Sequence, residues 1–208
     1  MEIDVNTWNR YELFKHFDEE TNPFLIINTP IDITNIYNHC KQSDDSIYAT
    51  IGYVINKAVN QVDGFKYRKE NNKIIKHEVI HSNYTENIDN ETIGFFRVEF
   101  DDNYRHYMEA FNKERQLLFD NKGSDPSIIT SDEIWMSCAP WFNINSLVPP
   151  YNKDNTIPQF IWDRFKKENN KVTTNLMIMV HHGFIDGYCV GKCIEAIQNE
   201  INNFKGDE

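Results

Sequence analysis

Two adjacent imidazoles and a carboxylate four residues beyond them, His181, His182 and Asp186, lie in VTTNLMIMVHHGFIDGYCVGKCIEAIQNEI, from Val172 to Ile201. Three kinds of chemistry are open to such a group. A His and an Asp four apart on one helix face can share a metal ion, but a closed zinc site takes four ligands. The chain has no HExxH pattern and no obvious third and fourth ligand. The strand-like VTTNLMIMV and the flanking Gly183 and Gly187 also argue against consecutive helical turns, so no metal is expected. The second reading is a structural turn, in which Asp186 caps the last helix and a histidine is hydrogen-bonded in the core. The third is a general base. Imidazole, with an unperturbed pKa of ~6.5, accepts a proton from a hydroxyl near neutral pH if its tautomer and orientation are fixed. A strand end followed by a tight turn supplies that rigidity, and Asp186 can hold the loop by pairing with a cation.

The rest of the chain must position these residues. Tyr11 to Phe17 is short and aromatic-rich, and FLIINTPIDI after Asn22-Pro23 reads as a strand. Ile33 to Lys41 has helical spacing, with Thr34 or Asp32 as its cap. SIYATIGYVINKAVNQV, Ser46 to Val62, carries the strongest helical stripe in the chain and predicts a core helix. Asn71-Asn72 divides two extended segments and predicts a hairpin, and IGFFRVEF predicts a further strand. Asp102 to Phe119 reads as a charged helix closed by NKGSDPS, and EIWMSCAPWFNINSL as a strand entering a Pro-Trp turn. IPQFIWDRFKKENN is open between strand and helix, although Asn169-Asn170 favours a hairpin into VTTNLMIMV. Tyr188 to about Phe204 is the closing amphipathic helix. The pattern predicts an α+β fold, a largely antiparallel or mixed sheet with helices packed on one face.

At 208 residues the chain suits one domain, residues 1–208, and its 40% hydrophobic content supports a core. The net charge of -11, from 21 Lys+Arg against 32 Asp+Glu, repels phosphate backbones and makes nucleic acid an unsuitable partner. No apolar run approaches the ~20 residues that cross a bilayer, and the start, MEIDVNTWNRYELF, lacks a signal pattern, so a cytoplasmic protein without membrane contact is expected. Cys40, Cys138, Cys189 and Cys193 have no CxxC spacing and are expected as reduced, packed thiols.

His181-His182-Gly183-Phe184-Ile185-Asp186-Gly187 resembles the HHxxxDG pattern of the chloramphenicol acetyltransferases. CAPWFNINSL, Cys138 to Leu147, is similar to that family's Pro-Trp segment, whose serine falls five residues after the tryptophan, here Ser146. TWNRYELFKHF, Thr7 to Phe17, is similar to its Trp-x-Arg-x-Glu-x-Phe and matches the arginine to Arg10. The resemblance runs from about Trp8 to the last helix and implies a CoA-dependent acyltransferase type of two-layer sandwich.

It further implies a homotrimer with active sites between subunits, and direct acetyl transfer from acetyl-CoA, as co-substrate, to a hydroxyl of chloramphenicol. His182 would be the base, Ser146 the oxyanion donor, and Asp186 paired with Arg10 the loop support. Phe17, Phe24 and Phe96 are candidates for the acceptor pocket, and Phe165 with Arg164 for CoA. The chain departs from the family pattern with Gly183-Phe184-Ile185 inside the motif, Leu147 after the serine, and Ile161 where a threonine supports a bound water. These changes sit at the pocket edges, so another small alcohol as acceptor, or a silent trimer that binds a hydrophobic ligand, stays open.

Overall fold

The computed structural model describes residues 1–89, 92–121 and 129–206, and most of the NKGSDPS turn lies outside them. The elements run α1 (Tyr11–Asp18), β1 (Phe24–Asp32), α2 (Thr34–Ser43), α3 (Ile47–Asn60), β2 (Tyr67–Glu70) and β3 (Lys73–Lys76). They continue with β4 (His81–Asn87), β5 (Ile93–Val98), α4 (Tyr104–Asp120), β6 (Glu133–Ala139), β7 (Gln159–Asp163), β8 (Lys166–Glu168), β9 (Lys171–His181) and α5 (Gly187–Asn203).

Local chemistry accounts for many of the boundaries. The Ser46 side chain accepts the Ala49 N–H at the start of α3. Asp32 accepts the Thr34 N–H at 3.0 Å and so tethers the start of α2. The β2–β3 and β8–β9 hairpins turn on Asn71-Asn72 and Asn169-Asn170, all four at positive φ, a region that asparagine tolerates better than most residues. The segment that was open between strand and helix is the pair β7 and β8, because β9 offers both of them an antiparallel partner.

The main sheet has the order β1-β9-β7-β6-β4-β5, with β8 also paired to β9, while β2 and β3 form a separate ribbon. It is mixed. β6 runs parallel to β4 and β7, whereas β9 is antiparallel to β1, β7 and β8, and β4 to β5. Strand alternation separates its two faces. On β9, Val172, Leu176, Ile178 and Val180 join one core with α3, α4 and α5, in which Ile51, Val54, Ile55, Ala58 and Val59 of α3 are fully buried.

Met177 and Met179 alternate with them and are equally buried, yet they lie outside that core. Their face is covered by the connection between β6 and β7, where Ile144 and Ile157 are buried and Pro150, Tyr151 and Asn155 share a cavity with Met179. The helices therefore take one face, and an irregular segment closes part of the other. No helix is long and apolar enough to cross a membrane among the described residues.

Candidate active site

His181 ends the long strand β9, His182 opens the turn beyond it, and main-chain bonds tie that turn. The His181 carbonyl accepts the N–H groups of Phe184 and Ile185 at 3.0 and 3.1 Å, and His182 N–H donates to the Pro23 carbonyl at 2.8 Å. Gly183 lies where a side chain has no room, because a Cβ there would sit 2.9 Å from the Phe14 backbone and 3.1 Å from the His181 ring. Both rings are covered by α1. Phe17 stacks on His182 at 4.1 Å between centroids and 15° between planes, while Phe14 lies 5.7 Å from His181.

The rings differ in what they can do. His181 is buried, and its Nδ1 accepts the Gly183 N–H at 3.2 Å, so its proton belongs on Nε2. Burial, opposed by Asp18 and aided by Lys69 and His182, pulls the His181 pKa down to about 4. The unfolded chain keeps a value of ~6.5 and binds the proton first as pH falls. The stability that His181 contributes is therefore present above ~6.5 and is lost on acidification towards its folded value, at ~1.4 kcal/mol for each pH unit separating the two states. His181→Gln is expected to flatten this part of the pH dependence. Urea titrations at about pH 7 and about pH 5 check it, and an unchanged difference between those midpoints in the variant would contradict it.

His182 is only partly buried. Its Nδ1 is enclosed with no hydrogen-bond partner, which leaves Nε2 as the nitrogen that a hydroxyl can approach. No carboxylate touches this ring among the described residues. Asp186 is instead occupied twice, accepting the Cys189 N–H at 2.9 Å as the cap of α5 and pairing with Arg10 Nη1 at 3.0 Å. The Cys189 N–H above all holds its pKa below the usual carboxylate value, with Arg10 helping to offset the opposing effect of burial. Cap and loop support are thus the same residue, and α1 is joined to the start of α5 across the histidine turn. His182 and Asp186 face different partners, and no group of three or more His, Cys, Asp or Glu side chains suited to a metal ion occurs among the described residues.

Ser146 is elsewhere. It is exposed, in the irregular connection after β6, and no hydrogen bond joins it to His182 among the described residues. Two residues before it, Ile144 donates its N–H to Asp163 Oδ2 at 2.8 Å and accepts from Asn175 Nδ2 at 3.0 Å. Asn175 and His181 are six residues apart on β9, which at ~3.3 Å per residue is about 20 Å. The anchor of the Ser146 segment is thus near the middle of β9, well back from the base.

The remaining candidates divide. Phe24 lies edge-on to His181 at 6.0 Å and packs against Tyr151. Phe96 is core: strand alternation turns it onto Tyr84 and Phe111 and turns Phe95 to the other face. There Phe95, Trp135, Met136, Pro149, Gln159 and Ile161 are among the residues lining a cavity of about 310 Å³ under the Ser146 connection. Gln159 is buried in its wall, and neither atom of its side-chain amide hydrogen-bonds to another described residue. Phe165 packs edge-on to Tyr37 at 6.2 Å between β7 and β8, with Arg164 exposed beside it.

Asp163 and Gln159 were not singled out by the sequence reading. The usable signal was a carboxylate and an amide inside the apolar IPQFIWD, where burial demands partners.

This fold is shared with solved acyltransferase structures. A chloramphenicol acetyltransferase superimposes with a TM-score of 0.84 at 19% identity, covering 97% of this chain and 99% of its own. A probable dihydrolipoamide acetyltransferase from Listeria monocytogenes gives a TM-score of 0.72 at 14% identity, covering 99% of this chain and 95% of its own. Within that class the sequence is more specific. Residues 1–198 match the family described as chloramphenicol acetyltransferase, and the chain belongs to that family. Relatives include a chloramphenicol acetyltransferase from Clostridium perfringens at 26% identity, covering 98% of this chain and 95% of the relative. Chloramphenicol acetyltransferase 2 from Haemophilus influenzae is 25% identical, with 97% and 96% covered.

Proposed function

We propose that the protein is an acetyl-CoA-dependent O-acetyltransferase that acetylates a hydroxyl of chloramphenicol and thereby confers resistance, working as a cytoplasmic homotrimer of single-domain chains spanning residues 1–208. The observation that carries the chemistry is His182, its ring stacked on Phe17 and its main chain held by the Pro23 carbonyl, with Nε2 as its available nitrogen. Nε2 takes the proton of the acceptor hydroxyl as its oxygen attacks the thioester carbonyl of acetyl-CoA. The tetrahedral oxyanion accepts a hydrogen bond from Ser146 Oγ. Collapse expels the CoA thiolate, which recovers the proton from the imidazolium, so no acyl-enzyme and no metal are required.

The anchoring of the Ser146 connection near the middle of β9, back from His182, supports a site shared between copies, with His182 of one chain meeting the Ser146 connection and the cavity of the next. The apolar residues exposed on that connection, Trp141, Phe142 and Val148, are the kind of surface that a neighbouring copy buries. Phe165 and Arg164 would lie along the CoA. A shared site predicts complementation. When His182→Ala and Ser146→Ala chains are unfolded together and refolded at equal ratio, random assembly gives about a quarter of wild-type activity, since each shared site draws one residue from each copy. A mixture no more active than its parents would contradict the shared site.

Gln159 and Ile161 in the cavity wall favour a second reading of the acceptor, a small alcohol other than chloramphenicol with its own hydrogen-bonding group. Free-thiol release from acetyl-CoA separates the two. Release that depends on chloramphenicol supports the drug, and release only with other alcohols supports the second reading. No release from folded protein with any alcohol would sink both.

A further inference from the structure

Lys69 of β2 grips Asp18 at the end of α1 through both carboxylate oxygens, at 2.8 and 2.7 Å, and both side chains are mostly buried. The carboxylate lies beside the first of the two histidines. Asp18 Oδ1 is 3.8 Å from His181 Nε2, a buried nitrogen with no hydrogen-bond partner. Asp18 also follows Phe17, the residue stacked on His182. The Lys69 backbone is itself anchored, its N–H donating to Thr156 Oγ1 at 3.0 Å.

We propose that Asp18 and Lys69 form a clamp that positions His182 through Phe17, pressing the end of α1 onto both imidazoles while each charge offsets the other's field on the neighbouring His181 ring. The proposal rests on reading His182 as the base. Three facts converge on it. The Gly183 N–H on Nδ1 turns the His181 proton towards Asp18, so the carboxylate faces a donor. An unpaired carboxylate there would draw a proton onto His181, and Lys69 prevents this by taking both oxygens. The Arg10–Asp186 pair fixes only the start of α1, because Arg10 precedes Tyr11, so the far end of the helix needs its own tie.

The other charged or titratable groups near the rings are His16 and Arg10 from α1 and its approach, Tyr151 against Phe24, and Asp186 after the turn. None of them bonds to Asp18 or Lys69 among the described residues.

A field effect has a sign, and packing has none. Lys69→Met leaves the Asp18 charge and raises the titration midpoint of the His181 ring. Asp18→Asn leaves the Lys69 charge and lowers it, each change by about half a pH unit or more at this range in a partly buried site. Ring titrations by NMR of labelled histidines read this without any substrate. In parallel, kcat falls about 10-fold in either variant with KM little changed, because the base is misplaced rather than the substrate lost. Combining Asp18→Lys with Lys69→Asp restores most of kcat by rebuilding the tie.

Ring shifts of opposite sign support the clamp even if no alcohol is ever acetylated, in which case only the catalytic reading falls. Shifts of the same sign, or none, in two folded variants overturn it even if the enzyme is active.

Discussion

His182→Ala is expected to lower acetyl transfer by about 10²–10⁴-fold, the range that a positioned general base contributes. The protein should still fold, because the bond from His182 to the Pro23 carbonyl is made by the main chain and survives the substitution. What is lost is a partly buried ring stacked on Phe17 and the one nitrogen available to a hydroxyl. His182→Gln distinguishes a base from a binding group, since the amide keeps hydrogen-bonding capacity but accepts no proton at neutral pH. Both variants should lose kcat to a similar extent at near-normal KM. Thiol release at saturating acetyl-CoA and acceptor checks this, with circular dichroism confirming the fold. A glutamine variant within ~10-fold of wild type would assign His182 to binding rather than proton transfer.

The second large effect concerns Asp163, which is fully buried and tied to the Ser146 segment. Its Oδ1 accepts from the Thr174 hydroxyl and the Asn175 N–H, and its Oδ2 from the Ile144 N–H and Asn175 Nδ2, at 2.8 to 3.1 Å. Asp163→Ala strands these donors in the interior and is expected to cost about 3–5 kcal/mol, the range for breaking a buried charged network. Asp163→Asn should rescue little, because either oxygen replaced by NH₂ then faces a backbone N–H that cannot reverse its role. Freed from Asp163, Ile144 no longer holds the connection that carries Ser146, so the surviving folded fraction should also turn over more slowly. Urea unfolding together with the rate per folded molecule measures both. A loss below about 1 kcal/mol, as for a surface change, would contradict the account.

Much of this protein was legible locally. The stripe from Ile47 to Val59 specified a buried helix, the Asn71-Asn72 and Asn169-Asn170 pairs specified hairpin turns, and His181 to Gly187 specified a strand end, a turn and a capped helix. Each signal is contained within a few residues, where periodicity, positive φ or a cap shows directly in composition. The pairing of Asp186 with Arg10 bridges 176 positions in sequence and was reached only through the family pattern.

What stayed hidden depends on distant partners. Phe95 and Phe96 are indistinguishable as residue types, and only the register of β5 against β4 decides which enters the core. Asp18 and Lys69 read as ordinary surface charges until a helix and a hairpin 51 residues apart are brought together. Covering the Met177 and Met179 face required a connection with no regular structure, for which there is no period to read.

The most direct test of acetyl transfer is product analysis. Wild-type protein is incubated with acetyl-CoA and chloramphenicol, and free thiol and drug mass are followed together. Mono-acetylated chloramphenicol should appear one-for-one with free CoA thiol, and neither product should rise above background with His182→Ala. Thiol release without acetylated drug, or no release from folded wild-type protein, would contradict it.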